Sequence, residues 1–153
     1  MPRTMSPTFR ELSATEMHEL LARNHVGRIA YSFRDRVDIE PISYVFAVDA
    51  FYMRTEPGSK LATLAHAPWA AFEVDEVQGP FDWRSVVAHG TVYVLEDAGG
   101  EIARETYRVA LGRVRQLVPM ALTPRDPTPT RLVILKLHLN DMRGRSASSS
   151  DTR

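Results

Sequence analysis

Apolar and polar positions alternate through residues 69–77, where Phe72 and Val74 are set against Glu73 and Asp75. A period of two predicts a strand with one face in a core and the other in water. Residues 26–33, 37–48, 51–55, 83–95 and 131–139 read as further strands, joined mostly by short polar turns. Helical spacing occurs in three places. Ser13 to Glu16 form a capping box, and Met17, Leu20 and Leu21 follow on one face as far as about Asn24. Tyr107, Leu111, Val114 and Val118 predict a helix over 101–117, and a short helix over 59–66 follows the Pro57-Gly58 turn. Residues 119–130 carry four prolines and predict a loop. Residues 1–10 read as a flexible arm, 11–142 as one domain, and the Ser- and Arg-rich stretch 143–153 as a disordered tail. Short connections imply antiparallel pairing, and a sheet of six strands closes its edges as a barrel or against a twin subunit.

Two residues interrupt this pattern. Pro41 falls inside the second strand; proline cannot donate to a sheet ladder, so it belongs at an edge or a bulge. Neighbouring backbone groups at such a place are free to bond a ligand, although an ordinary edge strand fits the pattern equally. Gly90 interrupts the fifth strand and predicts a bulge or a close approach of another chain segment.

Composition narrows the chemistry. The 153 residues carry zero net charge, which argues against nucleic acid as a partner but not against a small anion. There is no cysteine, so disulfides, thiolate catalysis and cysteine zinc sites are excluded. No apolar run has the form of a signal peptide or a membrane span, so a cytoplasmic protein is expected. Lys60 and Lys136 are the only lysines among nineteen basic residues, which makes Lys60 conspicuous.

The stretch Met53 to Leu64 has a strand end, a Pro-Gly turn and a helix opening on Ser59 and Lys60. Free backbone N–H groups, hydroxyls and a lysine suit a phosphate. A Walker loop is excluded, because Ser59 separates Gly58 from Lys60 and Met53 stands where its first glycine would be. There is no G-x-G-x-x-G and no G-x-S-x-G, and His18-Glu19 lacks the second histidine of a zinc protease. The five histidines show no ligand spacing, so no metal is expected. Asp75 with Glu73 or Glu76 reads as a carboxylate pair or a solvated strand face. With so little side-chain chemistry in evidence, any reaction here would be carried by a cofactor, and no catalytic side chain is indicated.

The order of a capped helix, Glu40-Pro41-Ile42-Ser43-Tyr44, Gly58-Ser59-Lys60-Leu61, Ala71-Phe72-Glu73-Val74-Asp75 and Trp83-Arg84-Ser85-Val86-Val87-Ala88-His89-Gly90 resembles the pyridoxamine 5′-phosphate oxidase-like flavoproteins. The small nitroimidazole-reductase-like branch is the nearest in pattern, over residues 11–145. The resemblance implies a six-stranded antiparallel split β-barrel of FMN-binding type, and a homodimer with the cofactor at the interface. It implies that Pro41, Ile42, Ser43 and Tyr44 line the isoalloxazine ring. Arg54, Thr55, Ser59 and Lys60 would hold the phosphate, with Leu61 packed behind. Trp83, Ser85 and Val86 would approach from the fifth strand, of the same subunit or its twin. True pyridoxamine phosphate oxidases are longer and hold the substrate phosphate with a C-terminal segment; here the last strand runs into Asn140-Asp141-Met142-Arg143-Gly144-Arg145 and a polar tail, so pyridoxamine phosphate oxidation is not the expected activity.

The implied activity is an FMN-dependent oxidoreductase transferring hydride to or from an unidentified small molecule. Three alternatives stay open. The same fold serves a deazaflavin, whose anionic tail would call for added basic residues. A flavin- or haem-binding protein without catalysis would make His89 the haem ligand. A cofactor-free structural dimer is the fourth reading.

Overall fold

The computed structural model describes residues 6–64 and 69–149. Eleven elements follow in chain order: β1 (Thr8–Glu11), α1 (Ala14–Arg23), β2 (Val26–Phe33), β3 (Arg36–Ser43), β4 (Val45–Ala47), β5 (Ala50–Thr55), α2 (Lys60–Thr63), β6 (Trp69–Gly79), β7 (Asp82–Leu95), α3 (Glu101–Leu117) and β8 (Val133–Ser148). The strands form one antiparallel sheet in the order β3-β2-β6-β7-β8-β5-β4, with β1 added on β8. The mostly-β barrel is as expected, with eight strands instead of six.

Two extra strands and one longer strand make the difference. Residues 37–48 are not one strand. The chain pairs with β2 as far as Ser43, turns its side chain inward at Tyr44, and pairs with β5 from Val45. Since β3 and β4 end the sheet order on opposite sides, residue 44 crosses the split of the barrel. The expected flexible arm contributes β1 from Thr8 onward, although its side chains are exposed. Finally, the expected disordered tail is strand as far as Ser148; residues 150–153 lie outside the described residues. Arg145 and Ala147 pair with Ser85 and Trp83 of β7, and with Glu11 and Phe9 of β1. This segment has few large apolar residues because there is no room for them: a Cβ on Gly144 would lie 2.9 Å from Leu12 and from Met17. Small size, not hydrophobicity, marks it as interior.

The helices agree more closely. α1 carries the capping box in full, with Ser13 Oγ accepting from Glu16 N–H and the Glu16 carboxylate accepting from Ser13 N–H. Its Met17, Leu20 and Leu21 plug the barrel against Tyr44, Phe51, Phe72 and Leu137. α3 spans the expected residues and covers a second cluster of Ala50, Tyr52, Val114 and Ile134 on the outer face of β5 and β8. β5 is therefore buried on both faces, which explains its unbroken apolar run. α2 is a single turn ending at Thr63, with Leu64 as its C-cap; residues 65 and 66 of the expected helix lie outside the described residues.

Pro41 lies on an edge strand: β3 ends the sheet, pairs only with β2, and sets Pro41 opposite Arg28. Gly90 is both a bulge and a close approach. The β7–β8 register shifts between His89 and Gly90, and a Cβ there would meet the His138 carbonyl at 2.0 Å.

The β4–β5 turn places Val48 and Asp49 at φ 48° and 58°. That is the mirror-image hairpin geometry that asparagine and glycine tolerate and a β-branched residue resists. Val48 is 83% exposed, so nothing in packing offsets the strain. Val48→Asn should raise stability by about 1 kcal/mol in urea denaturation; an unchanged midpoint would show the turn to be unstrained.

Candidate functional site

The split between β3 and β5 opens into a cleft of about 360 Å³. One wall is the end of β3, with Glu40, Pro41, Ile42 and Ser43. The other is the end of β5 and the turn beyond it, with Arg54, Thr55, Glu56 and Ser59. Val26 and Arg131 complete the lining. Because no strand among the described residues pairs with β3 on this side, its outward backbone groups are available to a ligand. Thr55 Oγ1 donates to Ser59 Oγ at 3.3 Å, and Ser59 Oγ accepts from Ala62 N–H at 3.2 Å, which fixes both hydroxyls at the mouth of α2. A larger groove of about 510 Å³ lies between α3 and β8, around Tyr52, Ile102, Glu105 and Lys136. None of the expected cofactor-binding residues lines it.

The cleft thus brings together Pro41, Ile42, Ser43, Arg54, Thr55 and Ser59. The other named residues stand elsewhere. Tyr44 and Leu61 are fully buried, so the Tyr44 side chain cannot line a ring in the cleft. Its phenol donates to the Leu21 carbonyl at 2.8 Å, and burial pushes its ionisation up. What Tyr44 offers a ligand is backbone alone, and Leu61 backs α2 from the core. Lys60 is exposed and its Nζ is 3.0 Å from Asp38, outside the cleft lining. The four-residue α2 is also too short for a helix dipole to add much to an anion site. Trp83 and Ser85 sit on the outer face of β7, away from the cleft, and the Val86 side chain faces the core. Within one subunit these three do not reach the β3–β5 split.

Arg54 holds more than the cleft wall. It is 8% exposed and alternates with Tyr52 and Ala50 on the α3 side of β5. Its Nη1 donates to Asp126 Oδ2 at 2.6 Å and to the Arg131 carbonyl at 3.3 Å. Its Nη2 donates to Asp126 Oδ1 at 2.9 Å and to Thr128 Oγ1 at 2.6 Å. Both terminal nitrogens are thereby committed, and the guanidinium holds the Asp126 carboxyl well below the usual carboxylate range. The proline-rich stretch 119–130 is a strap clamped to β5. Sequence reading missed Asp126 and Arg131; an acid inside an otherwise featureless loop was the only signal.

The outer sheet face presents a second polar group. Glu73 Oε1 is buried without a hydrogen-bond partner. Burial foremost, then Asp75, pushes the Glu73 carboxyl up to about 7, against the pull of Arg28 and Ser85. Arg28 Nη1 is 3.3 Å from Asp75 Oδ1. His89 lies on the same face, stacked on Trp69 with centroids 6.0 Å apart, its Nδ1 3.0 Å from Asp141 Oδ1. Among the described residues no group of three or more His, Asp or Glu could hold a metal ion, and no helix is long and apolar enough to cross a membrane.

A split antiparallel barrel, plugged by an N-terminal helix and open to a polar cleft at its seam, defines a ligand-binding barrel of the flavoprotein-like type. The chain belongs to the pyridoxamine 5′-phosphate oxidase family, whose sequence model matches residues 13–146. Among solved structures it is similar to a FAD-binding protein from Mesorhizobium loti, at 27% identity and TM-score 0.70 over 92% of this chain and 99% of that one. A FAD-binding protein from Mycobacterium smegmatis shares 22% identity, at TM-score 0.64 over 90% and 99%. A FAD- and haem-binding protein from the same organism shares 21%, at TM-score 0.63 over 90% and 72%. These last two likenesses speak for the fold. No curated protein matches the chain.

The raised Glu73 carboxyl gives a signed pH dependence. Between about pH 4.5 and 7 the folded chain keeps a proton that the unfolded chain has released, so stability falls as pH rises through that window. Glu73→Gln should flatten this part of the Tm-against-pH curve and raise Tm at pH 8. A variant with the wild-type slope would place the proton elsewhere.

Proposed function

We propose that the protein is a flavin-dependent oxidoreductase that uses FMN to move hydride to or from a small molecule. On this reading it acts as a cytoplasmic homodimer with the cofactor at the subunit seam. The observation that carries the reading is the cleft in the barrel split, where the free edge of β3 faces the hydroxyls of Thr55 and Ser59.

The residues present fit a flavin. An edge strand offers alternating N–H and C=O groups to a ring rich in donors and acceptors, and Pro41 keeps a neighbouring strand from taking them. Ile42 gives the ring an apolar contact, while Ser43, Thr55 and Ser59 supply hydroxyls at the polar end. Lys60, outside the lining with its ammonium on Asp38, could join the phosphate only by giving up that contact. Trp83 and Ser85, on the outer face of β7, belong to the site only if a second subunit presents them. The chemistry a bound flavin supplies is hydride acceptance and donation; the protein's part is to bind, orient and exclude water. No side chain in the cleft is placed for covalent catalysis.

A second reading is favoured by the names of the related structures: FAD in place of FMN, with the same phosphate end and the adenylate lying outside the cleft. The purified protein should be yellow, and the chromophore released by denaturation should have the mass of FMN, or of FAD on the second reading. A colourless protein whose spectrum and fluorescence stay unchanged on adding either flavin would overturn both.

A further inference from the structure

We infer that Arg131 supplies the positive charge that holds the flavin phosphate in the seam cleft. This rests on the flavin reading above and deepens it to a residue that the sequence did not single out.

The charges around the cleft carry the argument. Two acids line it, Glu40 and Glu56. Two bases line it, Arg54 and Arg131. Arg54 is spent: both its terminal nitrogens are bonded within the strap, and the Asp126 carboxylate neutralises it at 2.6 Å. Lys60 stands outside the lining with its ammonium on Asp38. Arg131 is exposed and makes no ion pair among the described residues. With Arg54 neutralised, Arg131 is the one lining base left to offset the two acids; without it the lining would present negative charge alone to a phosphate dianion.

The backbone of Arg131 is also fixed where that role needs it. Its N–H donates to the Thr128 carbonyl at 3.1 Å, and its own carbonyl accepts from Arg54 Nη1 at 3.3 Å. The preceding residue, Thr130, donates through Oγ1 to Glu56 Oε1 at 2.8 Å, which ties the strap to the turn before Ser59. The buried Arg54–Asp126 pair therefore does not meet the anion. It holds the strap so that Arg131 lines the same cleft as Thr55 and Ser59. A guanidinium suits this position, because its fork can bond two phosphate oxygens at once.

The test is flavin binding by the flavin-free full-length protein, read as fluorescence quenching at low salt, with FMN and FAD measured separately. Arg131 is exposed and its side chain makes no hydrogen bond among the described residues, so Arg131→Gln should fold with an unchanged Tm. It should weaken binding by about tenfold or more, the loss of one charge-assisted contact. It should also reduce the dependence of Kd on salt, and Arg131→Lys should recover most of the affinity. A loss with both flavins assigns Arg131 to the phosphate they share and supports the inference; a loss with FAD alone puts it on the second phosphate, outside the cleft, and overturns it. If wild type binds flavin and Arg131→Gln binds both flavins within twofold of it, Arg131 is not the phosphate cation. If wild type binds neither, the flavin reading itself fails and this inference falls with it.

Discussion

The structure depends on how Tyr44 crosses the barrel seam. Its ring packs edge-on to Phe72 at 5.1 Å and lies 5.6 Å from Phe51, its phenol donates to the Leu21 carbonyl, and its N–H donates to the His25 carbonyl at 2.9 Å. One residue is thus tied to both sides of the barrel and to the helix that plugs it. Because Tyr44 is pinned, the chain before it can pair with β2 while the chain after it pairs with β5. The two strands part, and the split between them is the cleft. A phenylalanine there would keep the ring contacts and leave the buried Leu21 carbonyl without this donor.

The same seam sets the electrostatics. An open edge exposes backbone groups that suit a polar ligand, but the strands beside it bring Glu40 and Glu56 as well. Arg54 stands at the end of β5, where a counter-charge to a ligand would sit; alternation turns it to the α3 side, where a buried carboxylate has to neutralise it. A buried pair of this kind adds little net stability, yet removing either partner is costly, so its value lies in fixing the strap. Structural and binding charges are thereby divided between Arg54 and Arg131.

Much of the barrel was legible along the chain. Alternation at Phe72 and Val74 marked β6, the capping box marked α1, and Pro41 marked an edge, since each signal comes from local geometry. Three features were not legible, for physical reasons. Gly144, Ser146 and Ala147 are interior through small size, which a hydrophobic pattern does not record. The break at Tyr44 looks like continuous strand, because an aromatic residue suits both a strand and a pinned crossing. The partnership of Arg54 with Asp126 spans 72 residues and leaves no periodic trace. Of the site, the β3 and β5 walls could be read from short motifs, whereas Arg131 depends on how a proline-rich strap folds back.

Hydrogen exchange on the flavin-free protein, with and without added FMN, tests the placement of the site most directly. The outward amides of β3 have no strand partner, so binding in the seam should slow exchange in residues 40–43, 54–59 and 128–131 together. Protection confined to the groove between α3 and β8, with these three segments unchanged, would contradict the account.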